Sequence, residues 1–154
     1  MKKYKEEFSH ELIMSVEYAH GGATAKAKIL FVKAPCNAQL ESLAELEQAN
    51  NEALINVSVK LRDVIKGHEA QESKSDKITD GDAEQHVMLL SGNGFKLSAG
   101  FKNLKAILTH GINPALMDGK EPMTELLFDQ LSPVDTRILL GKYLLNFLNF
   151  SQPA

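Results

Sequence analysis

The stretch Leu131 to Phe150, LSPVDTRILLGKYLLNFLNF, leaves its backbone almost no choice. Ser132 stands where an N-cap hydroxyl takes a first-turn amide, Pro133 fills the N1 position whose missing N–H costs nothing, and Asp135 is placed as the acid of a capping box. A helix therefore starts here. Its polar residues, Asp135, Lys142, Asn146 and Asn149, form one narrow stripe, while Val134, Ile138, Leu140, Leu144, Leu145, Phe147, Leu148 and Phe150 cover the rest. A helix this apolar is either enclosed by its own domain or turns a second face to another chain. Both readings stand, and the place of the helix near the end of the chain speaks for a partner. Burying three or four such side chains supplies roughly 5–10 kcal/mol of gross hydrophobic free energy, enough to matter for assembly.

The same helix is no membrane span, because Arg137, Lys142 and Asn146 break it well short of the roughly 18–20 apolar residues a bilayer needs. With 154 residues, 44% of them hydrophobic, the sequence predicts one globular domain with a real core. Its 17 basic and 20 acidic residues are dispersed and leave a net charge of −3, so no nucleic-acid partner is expected. The opening MKKYKEEFSHEL lacks the apolar run of a signal peptide, which predicts a cytoplasmic protein. The single Cys36 excludes an internal disulfide and reads as a small hydrophobe.

The fold class expected is α+β: an N-terminal β-hairpin followed by four to five α-helices. Leu12, Met14, Val16 and Tyr18 alternate with Glu11, Ser15 and Glu17, with Ile13 as the exception; Ala25, Ala27, Ile29 and Phe31 alternate with Thr24, Lys26 and Lys28. Gly21 and Gly22 join the two runs, so residues 1–33 predict a hairpin that must lay its apolar face on something else. Pro35 stops the second strand and Asn37 suits a helix cap. Leu40, Leu43, Leu46, Ala53, Leu54, Val57, Leu61, Val64 and Ile65 then predict one long helix over 37–66, or two short ones broken near Asn50 and Asn51. Residues 67–82 are polar enough to predict a mobile loop. For 83–97, a short helix capped by Asp82 is preferred to a hairpin turning at Gly92–Gly94. Ser98 suits the cap of a helix ending before Gly111, and Pro122 opens a short helix through Phe128.

No constellation announces a reaction. The five histidines, His10, His20, His68, His86 and His110, show no metal-ligand spacing, and no metal or cofactor is expected. The acidic run from Asp76 fails as a calcium loop, since Ile78 takes a ligand position and Val87 stands where the bidentate glutamate belongs. Ser91-Gly92-Asn93-Gly94 lacks the spacing of a phosphate loop. Cys36 has no recognisable histidine partner, so no enzyme is predicted.

The hairpin end ILFVKAP, leading at once into NAQLESLAELEQ, is similar to the tail assembly chaperones of long-tailed bacteriophages. MTELLFDQLS followed by PVDTRILLGKYLLNFL resembles the way those proteins finish. The resemblance implies a non-enzymatic protein of the bacterial cytoplasm that keeps the tape-measure protein soluble while tail-tube subunits polymerise around it. Its partners would then be the tape-measure or tail-tube protein, or a second copy in a homo-oligomer. An apolar surface suits such a client. Leu140, Leu144, Phe147, Leu148 and Phe150, with Leu54, Val57 and Leu61 as a second wall, are the residues expected to line it. The alternative is a small regulatory or inhibitor protein that binds a host enzyme or nucleic-acid complex.

Overall fold

The structure, a computed structural model, describes residues 6–53, 55 and 78–148. It is α+β, with a hairpin followed by five helices among the described residues. Strands β1 (Glu7–His20) and β2 (Ala23–Lys33) pair antiparallel through a two-residue turn. Gly21 and Gly22 both have positive φ, 60° and 80°, the backbone that such a tight hairpin turn requires. After a short 3-10 turn at Asn37–Gln39, helix α1 runs through residues 40–53. Helices α2 (Asp80–Ser91) and α3 (Leu97–Leu108) follow. Two short strands, β3 (Leu116–Met117) and β4 (Glu121–Pro122), then complete a four-stranded sheet in the order β1-β2-β3-β4. Helices α4 (Glu125–Asp129) and α5 (Pro133–Phe147) close the described chain.

Several local expectations change. Helix α2 begins at Asp80 inside the stretch read as a loop, because Thr79 accepts from the Asp82 amide while the Asp82 carboxylate accepts from the Thr79 amide. The preferred helix over 83–97 is present as far as Ser91, and the hairpin alternative is not. Asn50 and Asn51 lie within α1, so no break occurs there. Cys36 rather than Asn37 is the cap residue, with Gln39 reaching back to its amide. Lys96 precedes α3 in place of Ser98, and Thr124 rather than Pro122 opens α4, Pro122 being in β4. The remainder of the loop, at 67–77, and Leu54, Val57, Leu61 and Phe150 lie outside the described residues.

One hydrophobic cluster joins all layers, from Val16 and Leu30 of the hairpin through Leu46, Leu90, Leu104 and Met117 to Leu139, Tyr143 and Leu144. Helix α5 is its centre, packed on β1, α2 and α3. Gly141 lets α2 approach so closely that a Cβ there would collide with the Ala83 backbone. Helix α5 is thus buried along most of its length, from Asp135 and Thr136 through Ile138 to Leu144, by its own chain. No helix among the described residues is long and apolar enough to cross a membrane.

Candidate functional site

The register of the hairpin slips at its middle. Glu11 pairs with Ile29 and Val16 with Ala27, so Leu12–Ser15 stand opposite the single residue Lys28. The apolar pattern demands this slip. On β1 the inward residues keep even numbers, Phe8, His10 and Leu12, then Val16 and Tyr18; on β2 they change from Leu30 and Val32 to Ala25 and Ala27. Ile29 and Phe31 were expected among the inward set, but the phase change passes that place to Leu30 and Val32. Only an odd shift keeps buried residues opposite buried residues across both halves. Met14, expected on the inward face, is lifted out with Ile13: they are 62% and 58% exposed.

The bulge is held by Asp135. In an unbroken strand successive N–H groups point to opposite edges, yet the amides of Ile13 and Met14 both donate to this one carboxylate, at 2.9 and 3.1 Å. His10 Nε2 lies 2.8 Å from Oδ1, and the Ser132 hydroxyl donates to Oδ2 at 2.8 Å. Burial pushes the Asp135 carboxyl up, but these donors outweigh it and hold its pKa below the usual carboxylate range. The capping-box reading of Asp135 is half right: Ser132 accepts from its amide, but its carboxylate takes the Ser132 hydroxyl and the β1 amides in place of the Ser132 amide.

Helix α5 runs antiparallel along the inner half of β1. Phe8 stacks near Phe147 with ring centroids 5.5 Å apart, His10 meets Lys142, and the bulge meets Asp135. The lengths agree, since six strand steps from Phe8 to Met14 cover ~20 Å and twelve helix steps from Asp135 to Phe147 cover ~18 Å. Lys142 Nζ lies 3.1 Å from His10 Nδ1 and 2.7 Å from Asp80 at the start of α2. Asp135, His10 and Lys142 are all buried. Asp135 and Lys142, the first two members of the polar stripe of α5, are therefore part of an internal seam. His10, falling in phase with Phe8 and Leu12, was the available sign that a polar partner had to be waiting inside.

An open cleft of about 510 Å³ lies beside the seam, lined by residues that include Phe8, Phe31, Lys142 and Asn146. Serine, histidine and aspartate meet in this cluster, but not as a nucleophile and its base. Ser132 bonds to Asp135 instead of the imidazole, and both ring nitrogens of His10 are engaged. Among the described residues no group of three or more His, Cys, Asp or Glu is placed to hold a metal ion.

Of the residues expected to line a docking face, Leu140, Leu144 and Leu148 are buried in the chain's own core. Phe147 is half-buried between Phe8 and Tyr143. The large apolar side chains left in solvent among the described residues lie elsewhere: Ile13 and Met14 together on the bulge, and, singly, Leu40 and Ile55 at the two ends of the α1 region, Met88 on α2, Ile112 after α3, and Leu126 on α4, a helix that contacts β1. Neither family models, curated proteins nor solved structures compared with this chain give a match.

Proposed function

We propose that this chain is a non-enzymatic binding and assembly protein whose docking surface is the β1 bulge, with Ile13 and Met14 as its apolar anchors. The observation that carries this is the exposure of both side chains on backbone fixed by a buried carboxylate. A bulge that merely blunted a sheet edge would present polar or charged residues. Two large apolar groups held rigidly in water cost solubility and lower the ordering entropy that binding must overcome, which is the arrangement of a recognition site. Helix α5 then serves the surface by building it.

The resemblance at both ends of the chain supports the more specific proposal, a phage tail assembly chaperone of the bacterial cytoplasm whose client is a tape-measure protein. An extended helical client exposes apolar stripes, and exposed anchors on a fixed strand suit reversible cover. The test is co-expression with the tape-measure protein of a long-tailed phage, using the intact chain and an Ile13→Ser/Met14→Ser variant, with the urea midpoint of each recorded. The intact chain is expected to keep the client in the supernatant, and the variant to lose that ability with its midpoint unchanged. Equal solubilisation by both would sink the assignment of the bulge. Failure of the intact chain with any such client, together with strictly monomeric light scattering across a hundredfold concentration range, would favour the regulatory reading.

A further inference from the structure

His10 sits at the junction that holds the bulge in place. It is fully buried, with Asp135 Oδ1 2.8 Å from Nε2 and Lys142 Nζ 3.1 Å from Nδ1. An ammonium group offers donors and no acceptor, so Nδ1 accepts, and the ring proton lies on Nε2, from which it donates to Asp135. This pattern exists only for neutral histidine. Among the described residues, α5 faces the ring with Asp135 and Lys142, the start of α2 faces it with Asp80 at 3.8 Å, and β2 places apolar Leu30 opposite. Adding a proton to Nδ1 turns its lone pair into a second donor aimed at the Lys142 ammonium. The two cations would then compete for Asp80.

We infer that His10 is a proton-operated latch beneath the bulge: protonation expels Lys142 from the ring, sets the two cations in competition for Asp80, and draws Asp135 Oδ1 to the imidazolium and away from the Ile13 amide it shares, loosening the hold of Asp135 on the bulge. Helix α2, helix α5 and strand β1 meet at this one imidazole, so a single proton acts on all three. Burial lowers the His10 pKa; the Asp135 hydrogen bond opposes this, the Lys142 charge adds to it, and the result lies below the ordinary 6.5. The folded chain thus prefers the neutral ring. That preference contributes fully above the unfolded value of 6.5 and is lost as pH falls from there through the folded value. The latch is closed at neutral pH and opens on acidification. This deepens the docking reading by naming how that surface is regulated, and its test uses no client, so the two fail separately.

The experiment is NMR of the full-length ¹⁵N-labelled chain from pH 8 to pH 5. Imidazole nitrogen shifts follow His10, and amide exchange, corrected for its intrinsic pH dependence, follows Ile13 and Met14. His10 is expected as the Nε2–H form at pH 8. As it titrates, protection at Ile13 and Met14 should fall by about an order of magnitude, as for a local opening made easier. The Lys28 and Ile29 amides, bound to Asp118 instead, should keep theirs. Lys142→Met should move the His10 midpoint up and Asp80→Asn should move it down. Asp80→Asn changes a half-exposed side chain and keeps the test open if Lys142→Met does not fold. Protection at Ile13 and Met14 that ignores the titration, a protonated Nδ1 at pH 8, or a midpoint raised by Asp80→Asn would overturn the latch.

Discussion

Asp135 and Asp118 perform the same geometric task on the two strands of one hairpin. Asp135 collects the amides of Ile13 and Met14 on β1; Asp118, in the turn between β3 and β4, collects those of Lys28 and Ile29 on β2 and takes the Tyr18 hydroxyl as well. At Asp118, too, burial pushes the carboxyl up and the donors, Lys28 and Ile29 first, bring its pKa below the usual range. The two differ in where they stand and in how their oxygens are shared. Asp135 is fully buried and each of its oxygens accepts from the surrounding strand or cap: Oδ1 serves His10 and Ile13, Oδ2 serves Met14 and Ser132. Asp118 is half-exposed, and both strand amides share its Oδ1 while Oδ2 meets a hydroxyl. Identical local chemistry therefore acts as an irreplaceable lock in one place and an adjustable tie in the other.

Asparagine, the same shape with one oxygen exchanged for an amino group, separates them most sharply. Asp135→Asn must turn an NH₂ toward donors whichever way the amide flips, leaving a buried N–H without an acceptor. The expected cost is about 3–5 kcal/mol in urea unfolding. A loss under 1 kcal/mol would mean that the seam is hydrated in solution. Gly141→Ala tests the Asp135 side from behind, since its Cβ must push the Ala83 backbone, and with it the start of α2, off α5. We expect about 2–3 kcal/mol of destabilisation, with exchange rising at Ile13 and Met14 before Lys28 and Ile29. His10→Gln removes the titrating ring but keeps a side-chain N–H for Asp135. Because the neutral ring is favoured in the folded chain, the native protein should lose stability relative to this variant as pH falls below 6.5, by at most ~1.4 kcal/mol per pH unit for one proton. His86, whose burial alone lowers its pKa to about 4, is present in both chains and cancels from the comparison. Asp118→Asn is the mildest change: Oδ1 stays, the new NH₂ donates to the Tyr18 oxygen, and asparagine accepts the local φ of 53°. A shift within about 0.5 kcal/mol is expected, and a loss near that of Asp135→Asn would erase the distinction.

How much of this could be read in advance follows from the range of each interaction. The hairpin turn at Gly21-Gly22, the α+β order and the start of α5 at Ser132-Pro133 are local chemistry, and the sequence shows them. The bulge is not local. Ile13 breaks an otherwise regular alternation, but nothing near it says that Asp135, 122 positions away, will collect its amide. The apolar breadth of α5 was legible as a demand for burial; the structure shows its own chain meeting that demand. Strands β3 and β4, two residues each, are too short to carry a period; β3 arises from pairing with Leu30 and Phe31, and β4 from pairing with β3. Ile13 and Met14 were visible as apolar residues. Their exposure was not, because it depends on a slip between two strands.

A hairpin whose halves keep separate registers behaves as two short ladders joined by an expansion joint. Pairing near the tip, from Val16–Ala27 to His20–Ala23, is set independently of pairing at the base, from Glu7–Lys33 to Glu11–Ile29. The change of phase between the ladders is confined to Leu12–Ser15, so the side chains that face the core are set separately in each half. Each ladder is thus anchored on its own, the tip by Val16, Tyr18 and Ala27 in the core and the base by its run along α5.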